Sequence, residues 1–123
     1  MNLTVLLYNF SKERVQLVRR SLAPLHINVK CVNKKDFSQP VGYMAGIDGL
    51  EPVKGKGSVA DFDEEMLVMC GFMGEMIDVL IAALRMGGVG KVELKAVITE
   101  SNALWDGATL YKALSEERAF LNE

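Results

Sequence analysis

Residues 66–70, Met66-Leu67-Val68-Met69-Cys70, carry no polar side chain, and Gly71 and Gly74 separate them from a helical stripe of Met73, Met76, Ile77, Leu80, Ile81 and Leu84. A strand that is apolar on both sides belongs in the centre of a sheet covered on both faces, normally a parallel one. The stripe that follows is a helix with one face to bury. Together they demand layers: helix, sheet, helix. The same nineteen residues, Met66 to Leu84, are also long enough to suggest a membrane span. Glu75 and Asp78 sit near the centre of that stretch, and each would cost about 2.5–3.5 kcal/mol at the middle of a membrane helix. No membrane segment is expected. The start, Met1-Asn2-Leu3-Thr4-Val5-Leu6-Leu7-Tyr8, has no basic leader, and the protein is expected to be soluble and cytoplasmic.

The rest of the chain repeats the alternation. Leu3 to Tyr8 is a short apolar strand, broken at Asn9-Phe10-Ser11, and Ser11 is suited to cap a helix. Val15, Val18, Leu22 and Leu25 then step by three and four along one helical face, and Pro24 closes it. Ile27-Asn28-Val29-Lys30-Cys31 alternates as a half-exposed strand does at a sheet edge. Gly87-Gly88 stops the second long helix. Val92 to Ile98 is a fourth strand, and a last helix carries Trp105, Leu110, Tyr111 and Leu114, with Ser101 or Asn102 as its expected cap. Strands alternating with helices predict an α/β fold. It is a small three-layer sandwich with a four-stranded, mainly parallel sheet in the order 2-1-3-4 and helices on both faces. A chain of 123 residues, half of them hydrophobic, supports one domain over residues 1–123. Between strands 2 and 3 lies a long insert, residues 33–64. It holds Pro40, Pro52 and five glycines, and is loosest around 53–63, where Lys54-Gly55-Lys56-Gly57-Ser58 falls.

The net charge of −2 hides a split of +5 over residues 1–60 and −7 over residues 61–123. The basic residues are scattered and aromatics make up only 7%, which favours halves that pack together and mix their charges over a nucleic-acid face. Two cysteines without a Cys-x-x-Cys spacing give no disulfide framework, metal cluster or redox pair. No metal and no cofactor is expected.

In an open parallel sheet a ligand crevice lies at the carboxyl ends of strands whose helices leave to opposite sides. Strands 1 and 3 are the predicted pair. Asn9, Phe10 and Ser11 would form one lip, and Gly71, Phe72 and Gly74 the other. Glu100, Ser101 and Asn102 would lie at the same edge, Trp105 would cover the floor or anchor the last helix, and Gln39 and Tyr43 of the insert would fold over the opening. Two helix N-termini there would favour an anion.

Other motifs read as structure. Met86-Gly87-Gly88-Val89-Gly90-Lys91 resembles a P-loop. It has Arg85 in place of the first glycine and Val92 in place of Ser/Thr, and it runs from helix to strand rather than the reverse. His26 stands alone. The acidic run Asp61, Asp63, Glu64 and Glu65 precedes a strand, which puts it at the edge away from the expected crevice. The five methionines between Met66 and Met86 read as core.

Several blocks of the chain resemble a known family. Leu6-Leu7-Tyr8-Asn9-Phe10, Gln39-Pro40-Val41-Gly42-Tyr43-Met44-Ala45-Gly46, Glu64 to Phe72, and Leu94 to Thr99 with Trp105 are similar to a bacterial family of short proteins, domain of unknown function 3783. The resemblance runs from the first strand to the last helix. It departs at Thr99-Glu100-Ser101-Asn102, where the family more often has a Thr-Pro turn. It implies an α/β fold, points to the Gln39–Gly46 loop, and brings no activity with it.

Two functions follow. The first is a small ligand-binding or regulatory module that holds an anionic ligand in the crevice, or docks a protein partner or a second copy of itself. The second is a small enzyme with Glu100 as acid or base. Glu100 would have no second titratable group beside it, which favours binding. Neither nucleic acid nor membrane is expected as a partner.

Overall fold

The computed structural model describes residues 3–53 and 62–121. Strand β1 (Thr4–Tyr8) leads through helix α1 (Lys12–Leu22) and a 3-10 turn (Ala23–Leu25) to strand β2 (Asn28–Val32). A 3-10 turn (Lys34–Asp36) and the short helix α2 (Val41–Met44) follow. The chain then forms strand β3 (Met66–Cys70), helix α3 (Glu75–Met86), strand β4 (Leu94–Val97) and helix α4 (Gly107–Leu121). Of the segment expected to be loosest, 53–63, residues 54–61 lie outside the described residues.

The sheet has the order β2-β1-β3-β4, as the sequence predicts. Pleating sorts its side chains into two cores. Val5, Leu7, Leu67 and Met69 point to one face and pack with Val18 and Leu22 of α1 and Leu80 and Leu84 of α3. Leu6, Tyr8, Met66, Val68 and Leu94 point to the other and pack with Phe37, Val41, Phe62 and Leu110 of α4. The central strands are buried from end to end, except for a half-buried Cys70. That is why Met66–Cys70 tolerates no polar residue. Burial also raises the pKa of the Cys70 thiol.

Strand direction decides where a site can lie. β1 pairs with β2, and β3 with β4, in parallel. β1 and β3 run antiparallel, with Thr4 opposite Cys70 and Tyr8 opposite Met66. The expected crevice between the carboxyl ends of strands 1 and 3 is therefore not formed. The reason is the insert. Tyr8 stands beside both Val32, the end of β2, and Met66, the start of β3. The connection thus begins and ends at the same end of the sheet, and β3 starts back from there. Neither its length nor its composition distinguishes a returning connection from a crossing one.

The charge split resolves as mixing. Arg14 grips Glu65 with two hydrogen bonds of 2.9 Å, from Nε and Nη2, and Lys34 meets Asp63 at 2.8 Å. Both pairs join the basic half to the acidic half.

Candidate functional site

The residues expected to share a crevice are split between the two ends of the sheet, a strand length of about 15 Å apart. At the end where β1 finishes, Asn9 adopts a left-handed backbone conformation (φ 67°). Its Nδ2 donates to the carbonyls of Phe62 (2.7 Å) and Glu64 (3.1 Å). Asn9 is thus a clamp holding the return of the insert against β1, and Asn and Asp tolerate this conformation better than other non-glycine residues. Phe10 is half-buried against the α1/α3 core and lies under the Arg14 guanidinium, 5.8 Å from its ring centroid. Ser11 caps α1, its Oγ accepting from Arg14 N at 3.2 Å. Asp63, Glu64 and Glu65 of the acidic run, expected away from these residues, are beside them, because β3 starts where β1 ends; Asp61 lies outside the described residues.

At the opposite end are Gly71, Phe72 and Gly74. Phe72 is buried in the α1/α3 core. Gly71 and Gly74 have φ of 88° and 48°, a region costly for other residues. Asn102 closes the turn after β4: its Oδ1 accepts from Thr99 N and its Nδ2 donates to Val97 O. It does not cap α4. That role falls to Asp106, whose Oδ1 accepts from Thr109 N at 2.7 Å. Ser101 and Glu100 are exposed in the same turn. Among the described residues no hydrogen bond or ion pair reaches the Glu100 carboxylate. Gln39 pairs through both side-chain atoms with the backbone of Val53 (Oε1 to N 2.8 Å, Nε2 to O 3.1 Å). Tyr43 is half-buried on α2. Trp105 is 37% exposed and precedes α4, its carbonyl accepting from Val41 N. Most of these side chains hold the fold.

Concave surfaces with unbalanced charge lie elsewhere: a cleft of about 410 Å³ beside β2 has two cations, Arg19 and Lys30, and a surface along β4 has three. On the α3 side of that strand is a cleft of about 390 Å³. Ile81, Leu84 and Val92 supply its apolar wall, and Arg85, Lys91 and Lys95 supply its charge, with Gly90 between them. No acidic side chain lines it. Lys95 stands opposite Leu67 in the ladder and so points to the α3 side. It is half-buried, and its ammonium donates to Val92 O. Its pKa is lowered, first by burial and then by the charge of Lys91, with Glu93 opposing. Two like charges crowded at a half-buried site are unfavourable alone, and an anion between them relieves the repulsion.

A second cleft of about 320 Å³ lies on the α4 side of the same strand, and it shares Lys91 and Lys95. There the charges are balanced. Arg118 of α4 is braced by Glu64 at 2.8 Å and by Glu93 at 3.2 Å. Glu64 also accepts from Tyr111 Oη at 2.9 Å. The Arg118 guanidinium and then the Tyr111 hydroxyl hold the Glu64 carboxyl down at about 2. Tyr111 stacks on Phe62 (4.4 Å, 8°), Phe62 on Phe37 (4.9 Å), and Phe37 meets Tyr8 at 5.2 Å. α4 must approach this column closely: a Cβ on Gly107 would lie 2.6 Å from Tyr8 Cε2. Burial, and then Asp106, raise the pKa of the Tyr8 hydroxyl.

Sequence reasoning passed over Arg85, Lys91 and Lys95. Arg85 and Lys91 flank the glycine loop set aside as a failed P-loop. Lys95 shares a face with Val97, two residues on in β4, so a charge stands where the strand pattern calls for an apolar side chain. That break in pattern is the available signal. Among the described residues no three His, Cys, Asp or Glu side chains gather to hold a metal, and no helix is long and apolar enough to cross a membrane.

Residues 65–121 match the family model described as Domain of unknown function (DUF3783). The resemblance is carried by the second half of the chain, from β3 to α4. Two of the blocks that suggested it, around β1 and α2, lie outside the matched residues. No curated protein and no solved structure matches the chain.

Proposed function

We propose that the protein is a small binding module whose ligand is an anion with an apolar portion, held in the cleft on the α3 side of β4. One observation carries the reading. Arg85, Lys91 and Lys95 converge on a cleft with no acidic lining and an apolar wall of Ile81, Leu84 and Val92. The guanidinium and two ammonium groups would hold a carboxylate or phosphate by charge-assisted hydrogen bonds, and the wall would take the apolar part. The whole cleft lies within the family-matched residues. The cysteines are free, and Cys31 is exposed, which suits a reducing compartment such as the cytoplasm.

The test is an NMR titration of labelled protein with hexanoate, hexyl phosphate and neutral hexanamide. The two anions are expected to shift the amides of residues 85–95, and hexanamide is not. Replacing Arg85, Lys91 and Lys95 together by glutamine should weaken anion binding at least tenfold while leaving the spectrum of the two cores in place. Equal response to hexanamide, or unchanged affinity in the triple variant, would refute the assignment.

A further inference from the structure

The anion cleft borders a strand that has a neighbour on one side only. In the order β2-β1-β3-β4 the outer edge of β4 pairs with no strand among the described residues. Ile98 N donates to Met69 O on the inner side. Backbone groups alternate along a strand, so the N–H and C=O of Lys95 and Val97 face outward. Asn102 Nδ2 already covers Val97 O. Within β4 the open outward groups are therefore the N–H and C=O of Lys95 and the N–H of Val97, with Lys95 Nζ on Val92 O just before the strand. The two clefts flank this open stretch, one on each side of the strand, with Lys91 and Lys95 lining both.

We propose that the anion held at β4 belongs to an extended acidic segment of a partner protein, which adds to the sheet as a fifth strand beside β4. The proposal rests on the anion-binding reading above and deepens it. Strand addition draws affinity from main-chain hydrogen bonds and selectivity from pockets that take alternate side chains. Here the α3-side cleft takes acidic side chains between Arg85, Lys91 and Lys95. The α4-side cleft, where Arg118 is already braced by Glu64 and Glu93, takes small apolar ones against Leu114. Lysines on an edge strand also deter indiscriminate pairing, and an acidic segment is the partner for which that barrier becomes an attraction. The fitting pattern alternates acidic and apolar residues along β4 (Leu94–Val97), with flanking positions that reach back to Lys91.

The probe is a capped heptapeptide of alternating glutamate and valine. Its controls are the same peptide N-methylated at every second residue, free glutarate, and oligothymidylate. Strand addition requires the peptide to bind at least tenfold tighter than its N-methylated form and than glutarate, and the amide of Lys95 to exchange more slowly in the complex. Lys95→Gln should weaken the peptide several-fold. Equal binding of the N-methylated peptide, or an unchanged Lys95 amide, would overturn strand addition and leave the anion cleft standing. Absence of binding by the peptide, glutarate, hexanoate and hexyl phosphate alike would remove both. Tighter binding of oligothymidylate than of the peptide would overturn the proposal in favour of a nucleic-acid strand. A dimer in light scattering, with the Lys95 amide protected before peptide is added, would overturn it in favour of a second copy.

Discussion

The two outer strands of the sheet are finished in different ways. Along β2 the outward carbonyl of Val29 receives Arg19 Nη1 at 2.9 Å, and Lys30 reaches across to Met44 O at 3.3 Å. Of that edge one carbonyl is thus taken by a side chain, and Lys30 ties the strand to α2. Along β4 only the far end is covered, by Asn102, and the cations beside the rest line clefts. Even the neighbouring acids divide between the two. Asp63 meets Lys34, just past β2, while Glu64 and Glu93 brace Arg118 beside β4. An edge strand exposes unpaired backbone groups and must be blunted or used. Each edge here has one carbonyl taken by a side chain, and β4 differs in having a cleft on either side and three cations, Arg85, Lys91 and Lys95, beside it.

That contrast can be broken at three levels. The largest effect is expected at Leu94, which is 2% exposed and fastens β4 to the α4 side. Leu94→Ala should cost about 3 kcal/mol of stability, read from the urea midpoint, and should speed exchange at β4 more than at β2. Equal loss of protection at the two edges would mean that β4 is no more independently anchored than β2. Arg19→Ala comes next. It uncovers Val29 O on an exposed edge and should cost about 1 kcal/mol. It should not create peptide binding at β2, because it removes one of the two cations, Arg19 and Lys30, that line the cleft of about 410 Å³ beside that strand.

The smallest effects belong to the acids. The Glu64 carboxyl is held at about 2, below its ordinary 4.5. A lowered carboxylate stabilises the fold above its unfolded value, so that contribution is present above about pH 4.5 and is lost as pH falls towards 2. Glu64→Gln should flatten the urea midpoint across that window. Asp63→Asn should leave the profile within about 0.5 kcal/mol, since an exposed pair contributes little. The reverse ranking would show that the brace beside β4 is no stronger than the pair beside β2.

The elements were legible because burial leaves a periodic trace. Met66–Cys70 reads as a central strand, Val15 to Leu25 as a helix face, and Ile27 to Cys31 as an edge. The order 2-1-3-4 followed from the short crossovers, β1-α1-β2 and β3-α3-β4, whose lengths leave one geometry. The expected site failed for a single reason, the direction of β3. Residues 33–64 could return or cross, and the choice moved Asn9 and Gly71 to opposite ends. Asn9, Ser11, Gln39 and Asn102 then proved to be bonded into the backbone of their own surroundings. The three cations of the β4 cleft come from a helix end, a glycine loop and a strand, so no local pattern joins them.

The sequence by itself determined the elements, the central and outer positions of the strands, and the two faces of the sheet, because hydrophobic period and burial are local properties of a chain. Only the tertiary structure decided which way β3 runs, which side chains gather beside each sheet edge, and which charges meet. These depend on where a long connection comes back and on side chains far apart in sequence, and no spacing of residues records that.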